Sequence, residues 1–185
     1  GNARGRGARE AMLDLPDARK EAAETLHPLY EADGDAERLL RVLEIQVDTT
    51  DDVAIRLGPL ETAIRTAEGP LTDTGRAFGY AMRGVRVAAG EAEIAKWIDT
   101  AFRLAEAKGS WTELTDLYRS VVDDILDGDV QQDVRLRIGE VLVDSGLTTP
   151  DQIERALAEQ KKRGGKKLGQ ILVELGILTE TDLTA

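Results

Sequence analysis

Residues 25–42 read TLHPLYEADGDAERLLRV, and residues 100–117, 75 positions later, read TAFRLAEAKGSWTELTDL. Leu29 corresponds to Leu104, Glu31 to Glu106, Ala32 to Ala107, Gly34 to Gly109 and Leu39 to Leu114. In both stretches an amphipathic helix stops at a glycine turn, Asp33-Gly34-Asp35 or Lys108-Gly109-Ser110, and a second helix follows at once. Glycine at the helix exit supplies the left-handed residue, and Asp35 or Ser110 is placed to cap the next helix. A middle unit fits between them, with helices over 53–67 and about 73–87 and a turn at Glu68-Gly69-Pro70. Three helical hairpins at intervals of 35 to 40 residues predict a short α-solenoid, in which each pair needs a neighbour to bury its apolar face. Leu29, Leu39, Leu104 and Leu114 are its expected core, with Trp97 and Trp111 filling it.

Composition agrees with an all-α class. Charged residues make up 32% of the chain and aromatics 4%, and no sustained Val/Ile/Thr/Tyr alternation bounded by hairpin turns occurs. The chain has no Cys and one His, which removes disulfides, thiol nucleophiles and thiolate metal sites and argues against zinc, while carboxylate sites for hard cations stay open. His27 has no Ser or acidic partner at a recognisable spacing, so no catalytic residue is assigned. No apolar run approaches the length of a membrane span and no signal-peptide core is found, which makes the cytoplasm the expected location. The net charge of −11 lies wholly in residues 1–134, while 135–185 hold eight basic and eight acidic residues. An acidic body argues against DNA, RNA and anionic membranes as partners. The neutral end, with Lys161-Lys162-Arg163 and Lys166-Lys167, tolerates a small anion better.

That neutral end is itself duplicated. Arg137-Ile138-Gly139-Glu140-Val141-Leu142-Val143-Asp144-Ser145-Gly146 returns thirty residues later as Lys167-Leu168-Gly169-Gln170-Ile171-Leu172-Val173-Glu174-Leu175-Gly176, and Ile153 returns as Leu183. Between the copies, Thr149 is the expected N-cap, Pro150 the first helical position and Gln152 the far side of a capping box. Gly146 and Gly176 read as helix C-caps, each followed by an apolar residue. Gly139 and Gly169 are different: glycine within a helix costs about 1 kcal/mol relative to Ala, so matched copies point to close packing or to a ligand. Leu142, Val143, Ile153, Leu157, Leu172 and Leu183 read first as core residues of a small helical module. The segment 161–167 lacks the spacing and preceding strand of a phosphate loop and reads as a solvated linker.

Two resemblances follow from these residues. Over 17–130 the chain resembles degenerate tetratricopeptide-like repeats, which implies protein binding without naming the partner. Over 135–185 it resembles the MshEN module, the N-terminal cyclic di-GMP-binding domain of type II secretion and type IV pilus assembly ATPases. The first copy of the family motif is complete in Arg137, Ile138, Gly139, Leu142, Gly146, Ile153, Leu157 and Gln160. The second runs Lys167, Leu168, Gly169, Leu172, Gly176 and Leu183, without its last Leu and Gln. The resemblance implies a cyclic dinucleotide ligand. An Arg guanidinium can stack on a guanine or bind a phosphate, a Gln can pair with a base edge, glycines let the ligand reach the backbone, and apolar side chains offer ground for a base face. Lys167 in place of Arg loses the planar fork and suits a phosphate.

The expected organisation is a disordered or fraying end over 1–16, tetratricopeptide-like repeats over 17–130 and an MshEN-like module over 131–185. The helix over 130–145 could open a fourth hairpin, begin the module, or do both. Starting at Gly1 and stopping within the second copy, the chain reads as a fragment, one expected to bind ligand weakly or not at all without the second Gln. The expected function is a non-enzymatic adaptor that couples cyclic di-GMP to a protein partner on the repeats. Alternatives are a pure interaction scaffold and a fragment of a secretion or pilus ATPase.

Overall fold

A computed structural model describes residues 2–144, 148–163, 166 and 168–179. Among them the fold is all-α, without strands. The helices are α1 (Asn2–Met12), α2 (Arg19–Asp33), α3 (Ala36–Asp48), α4 (Val53–Glu68), α5 (Thr74–Ala88), α6 (Ile94–Lys108), α7 (Trp111–Val121), α8 (Gly128–Asp144), α9 (Pro150–Arg163) and α10 (Leu168–Glu174). A 3-10 turn spans Val122–Asp124. The chain forms two compact units, Gly1–Gly109 and Ser110–Ala185. The division falls inside the hairpin that the sequence assigns to the solenoid, ahead of the expected boundary at 130/131. None of the described helices is long and apolar enough to cross a membrane.

In the first unit each helix packs on the next in chain order, from α1 to α6. The predicted turn at Gly34 forms with φ +67°, and Gly109 also takes φ +74°, so both first helices end in left-handed caps. Asp35, Asp52 and Asp73 each accept a hydrogen bond from the backbone N–H three residues on, which starts α3, α4 and α5. Ser110 occupies the corresponding position before α7 but makes no side-chain cap bond. The third turn is built differently as well. Gly69 has φ −83°, and the positive φ falls on Thr72 at 49°.

Equivalent helices of successive hairpins are joined by polar side chains at the repeat spacing. From α5 to α3 run Arg76–Glu37 at 2.7 Å, Tyr80–Glu44 and Arg83–Asp48. From α6 to α4 run Lys96–Glu61 and the forked pair Arg103–Glu68 at 2.7 and 3.0 Å. Several of these pairs are separated by 35 residues, the hairpin period itself. Exposed pairs of this kind contribute about 0–1 kcal/mol each, so they mark the register more than they hold it. The holding force is apolar: Leu26, Leu43, Leu60, Phe78, Ile94, Trp97 and Leu104 are all buried. Trp97 on α6 lies against Gly84 on α5, where a Cβ would stand 1.9 Å from the indole ring.

Two expectations are corrected here. The amino-terminal segment is helical, as α1, and is tied to α2 and α3. Arg6 pairs with Asp33 and stacks over the Tyr30 ring at 4.8 Å, Glu10 accepts the Tyr30 hydroxyl at 2.8 Å, and Leu13 is buried. Its lack of apolar periodicity hid it, because these anchors are polar and aromatic. Leu29 is 40% exposed whereas its counterpart Leu104 is fully buried. On α2 the buried stripe runs through Ala22, Ala23, Leu26 and Tyr30, and Leu29 falls beside it. Trp111 is half-buried, unlike Trp97.

Candidate functional site

The second unit carries the duplicated motif. Its turn into α9 forms as the sequence predicts. The Thr149 N–H donates to Gln152 Oε1 at 2.9 Å, and the Gln152 N–H donates to Thr149 Oγ1 at 3.4 Å, a reciprocal capping box ahead of Pro150. At the far end Gly176 has φ +68°, with its N–H on the Val173 carbonyl at 2.9 Å and the Ile177 N–H on the Leu172 carbonyl at 2.9 Å. Gly176 is therefore a left-handed helix cap.

Four motif residues line one cavity of about 170 Å³. Ile138 on α8 and Gln160 on α9 come from the first copy, and Leu168 and Gly169 on α10 come from the second. Among the described residues, Arg119, Val122, Asp123, Arg135 and Gln170 also line the cavity. Gln160 is fixed there by its Nε2, which donates to the Lys166 carbonyl at 2.8 Å. The floor is apolar, since Val122, Ile138 and Leu168 are buried.

A second, wider groove of about 570 Å³ runs between α8 and α9 and is lined in part by Gly139, Val143, Ile153 and Leu157, with Glu140 and Glu154 on its walls. Here Gly139 has a packing reason. A Cβ on it would stand 2.6 Å from Ile153 Cγ2, so the two helices touch at this glycine. Leu142 and Leu172 are core residues, 4% and 0% exposed. Arg137, on α8, lines neither hollow, and its Nε donates to Asp133 at 2.8 Å, one turn back. Gly146, Lys167 and Leu183 lie outside the described residues.

Lys162 and Arg163, in the last turn of α9, and Lys166 just after it are paired with carboxylates. Glu159 pairs with Lys162 and Arg163, both at 3.1 Å, and Glu174 pairs with Arg163 at 3.1 Å and with Lys166. Hydrogen bonds from Lys162 and from Lys166 hold the Glu159 and Glu174 carboxyls below the ordinary range. Arg119 and Arg135 were missed in the sequence because neither belongs to the repeat; the available signal was an Arg embedded in the apolar run Leu117 to Val122. Comparison of the chain with family models, with curated proteins and with solved structures found no match.

Proposed function

We propose that the second unit binds cyclic di-GMP and that the helical hairpins of the first unit hold a protein partner, making the chain a non-enzymatic adaptor in the bacterial cytoplasm. The observation that carries this reading is the meeting of both motif copies, Ile138 and Gln160 with Leu168 and Gly169, around one cavity with an apolar floor and amide and guanidinium walls. Such a lining offers what a guanine and its phosphate require: a flat apolar contact, a side chain that both donates and accepts, and positive charge.

The test is calorimetric titration with cyclic di-GMP, linear diguanylate and GMP. It uses the chain itself and a version with residues 156–163 repeated after Ala185, which supplies the second copy with its Leu and Gln. Saturable binding that prefers the cyclic ligand and tightens in the longer version supports the reading. A longer version that is helical by circular dichroism yet takes up no cyclic di-GMP at high micromolar concentration ends it.

One observation favours a pure scaffold instead. Gly139, a motif position, is accounted for by its contact with Ile153 without any ligand. On that reading the module keeps its packing glycines and binds no nucleotide, and the same titration separates the two.

A further inference from the structure

Two guanidinium groups outside both repeat copies reach the cavity of the second unit. Arg119 belongs to α7 and Arg135 to the first half of α8. Both side chains are largely covered, 26% and 22% exposed. Arg119 stands 3.7 Å from Asp116, and Arg135 stands 3.7 Å from Asp123 while its Nη1 donates to Gln131 Oε1 at 2.7 Å. Covering a charge withdraws water from it, and at Arg119 this burial pulls the guanidinium below its ordinary value. Arginine nonetheless stays protonated in proteins, so the cavity wall is cationic at neutral pH. Among the described residues that line the cavity, Asp123 is the one carboxylate, against two arginines. The cavity volume of about 170 Å³ falls short of the roughly 300–1,000 Å³ that encloses a whole drug-sized ligand. It has room for one flat base with its phosphate at the mouth.

We infer that Arg119 and Arg135 form the phosphate-holding pair of this cavity, which takes one guanylyl half of the ligand against Val122, Ile138 and Leu168 while Gln160 reads the base edge. The inference rests on the cyclic di-GMP reading and adds to it residues that the repeat does not contain. A planar fork can engage two phosphate oxygens at once, which a lysine cannot, and a partly dehydrated cavity strengthens each such bond. Asp123 opposes the anion and sets how firmly it is held.

The experiment titrates cyclic di-GMP into the unaltered chain and into Arg119→Gln, Arg135→Gln and Asp123→Asn, each in the version carrying the completed second copy. Each Arg substitution is expected to weaken binding about tenfold or more, and Asp123→Asn to tighten it, a gain that a merely structural role would not give. Should Arg119→Gln fail to fold, Arg119→Lys carries the test, since it keeps the charge and loses the fork; about tenfold weaker binding is again expected. If the unaltered chain binds and the folded Arg variants stay within about twofold of it, the phosphate pair is wrong while the cyclic di-GMP reading stands. If the extended version without substitutions folds yet does not bind, the cyclic di-GMP reading itself fails and this inference falls with it.

Discussion

Gly139 on α8 and Ile153 on α9 are in contact so close that a methyl group on the glycine would stand 2.6 Å from Ile153 Cγ2. Two effects of opposite sign meet at this position. Replacing glycine by alanine inside a helix stabilises by up to about 1 kcal/mol, but overpacking a closed contact costs about 1–3 kcal/mol. Ile153 is β-branched and stiff at its first torsion, so its Cγ2 cannot swing aside. Gly139→Ala is therefore expected to lower the unfolding midpoint of the second unit in urea. Ile153→Ala removes the obstructing atom, so the double variant should be less destabilised than the sum of the two single changes. Additive losses would show that the helices do not meet there.

Leu29 and Leu104 occupy equivalent places in the repeat and have opposite fates. Leu104→Ala should cost about 2–5 kcal/mol, as expected for a fully buried leucine, whereas Leu29→Ala should stay within about 0.5 kcal/mol of the unaltered chain. Thermal or urea unfolding of the two variants decides it; equal losses would place Leu29 in the core after all.

That pair also shows how far the sequence could be read. Helix ends were legible because chemistry fixes them locally: Gly34, Gly109 and Gly176 take left-handed backbone, and Thr149 with Gln152 closes a capping box. Which face of a helix is buried was less legible, since Tyr30 rather than Leu29 fills the core on α2. The cavity was half legible. Ile138, Gln160, Leu168 and Gly169 stand out through repetition, but Arg119 and Arg135 arrive from outside the repeat, and only the packing of the second unit reveals them.

The forked pair between Arg103 and Glu68 makes the first unit acid-sensitive in a defined direction. The hydrogen bond from Arg103 holds the Glu68 carboxyl below its ordinary value of 4.5, against the opposing effect of burial. A carboxyl with a lowered folded value contributes stability that is complete above 4.5 and lost as pH falls through that lowered value. Solvent exposure of Arg103 keeps the size small, about 0.2–1 kcal/mol. Glu68→Gln should lower stability slightly at neutral pH and flatten its fall on acidification. Urea unfolding of both proteins at neutral and acid pH reads this, and parallel curves across that range would show that the pair is not formed in solution.

Arg137 is the motif residue most open to a decisive test, because the structure gives it a competing partner. Its Nε donates to Asp133 at 2.8 Å, and it lies outside the lining of the cavity that gathers Gln160, Leu168 and Gly169. For Arg137 to meet a nucleotide, its side chain must leave Asp133. A charge-assisted bond to phosphate or guanine returns about 1.5–3 kcal/mol. If Arg137 touches the ligand, Arg137→Ala weakens cyclic di-GMP binding about tenfold or more, and Asp133→Asn strengthens it slightly by releasing the guanidinium. Helix stability should change little in either variant. Unchanged affinity in both, measured by calorimetry on a chain that binds, would remove Arg137 from the site and leave recognition to the cavity residues alone.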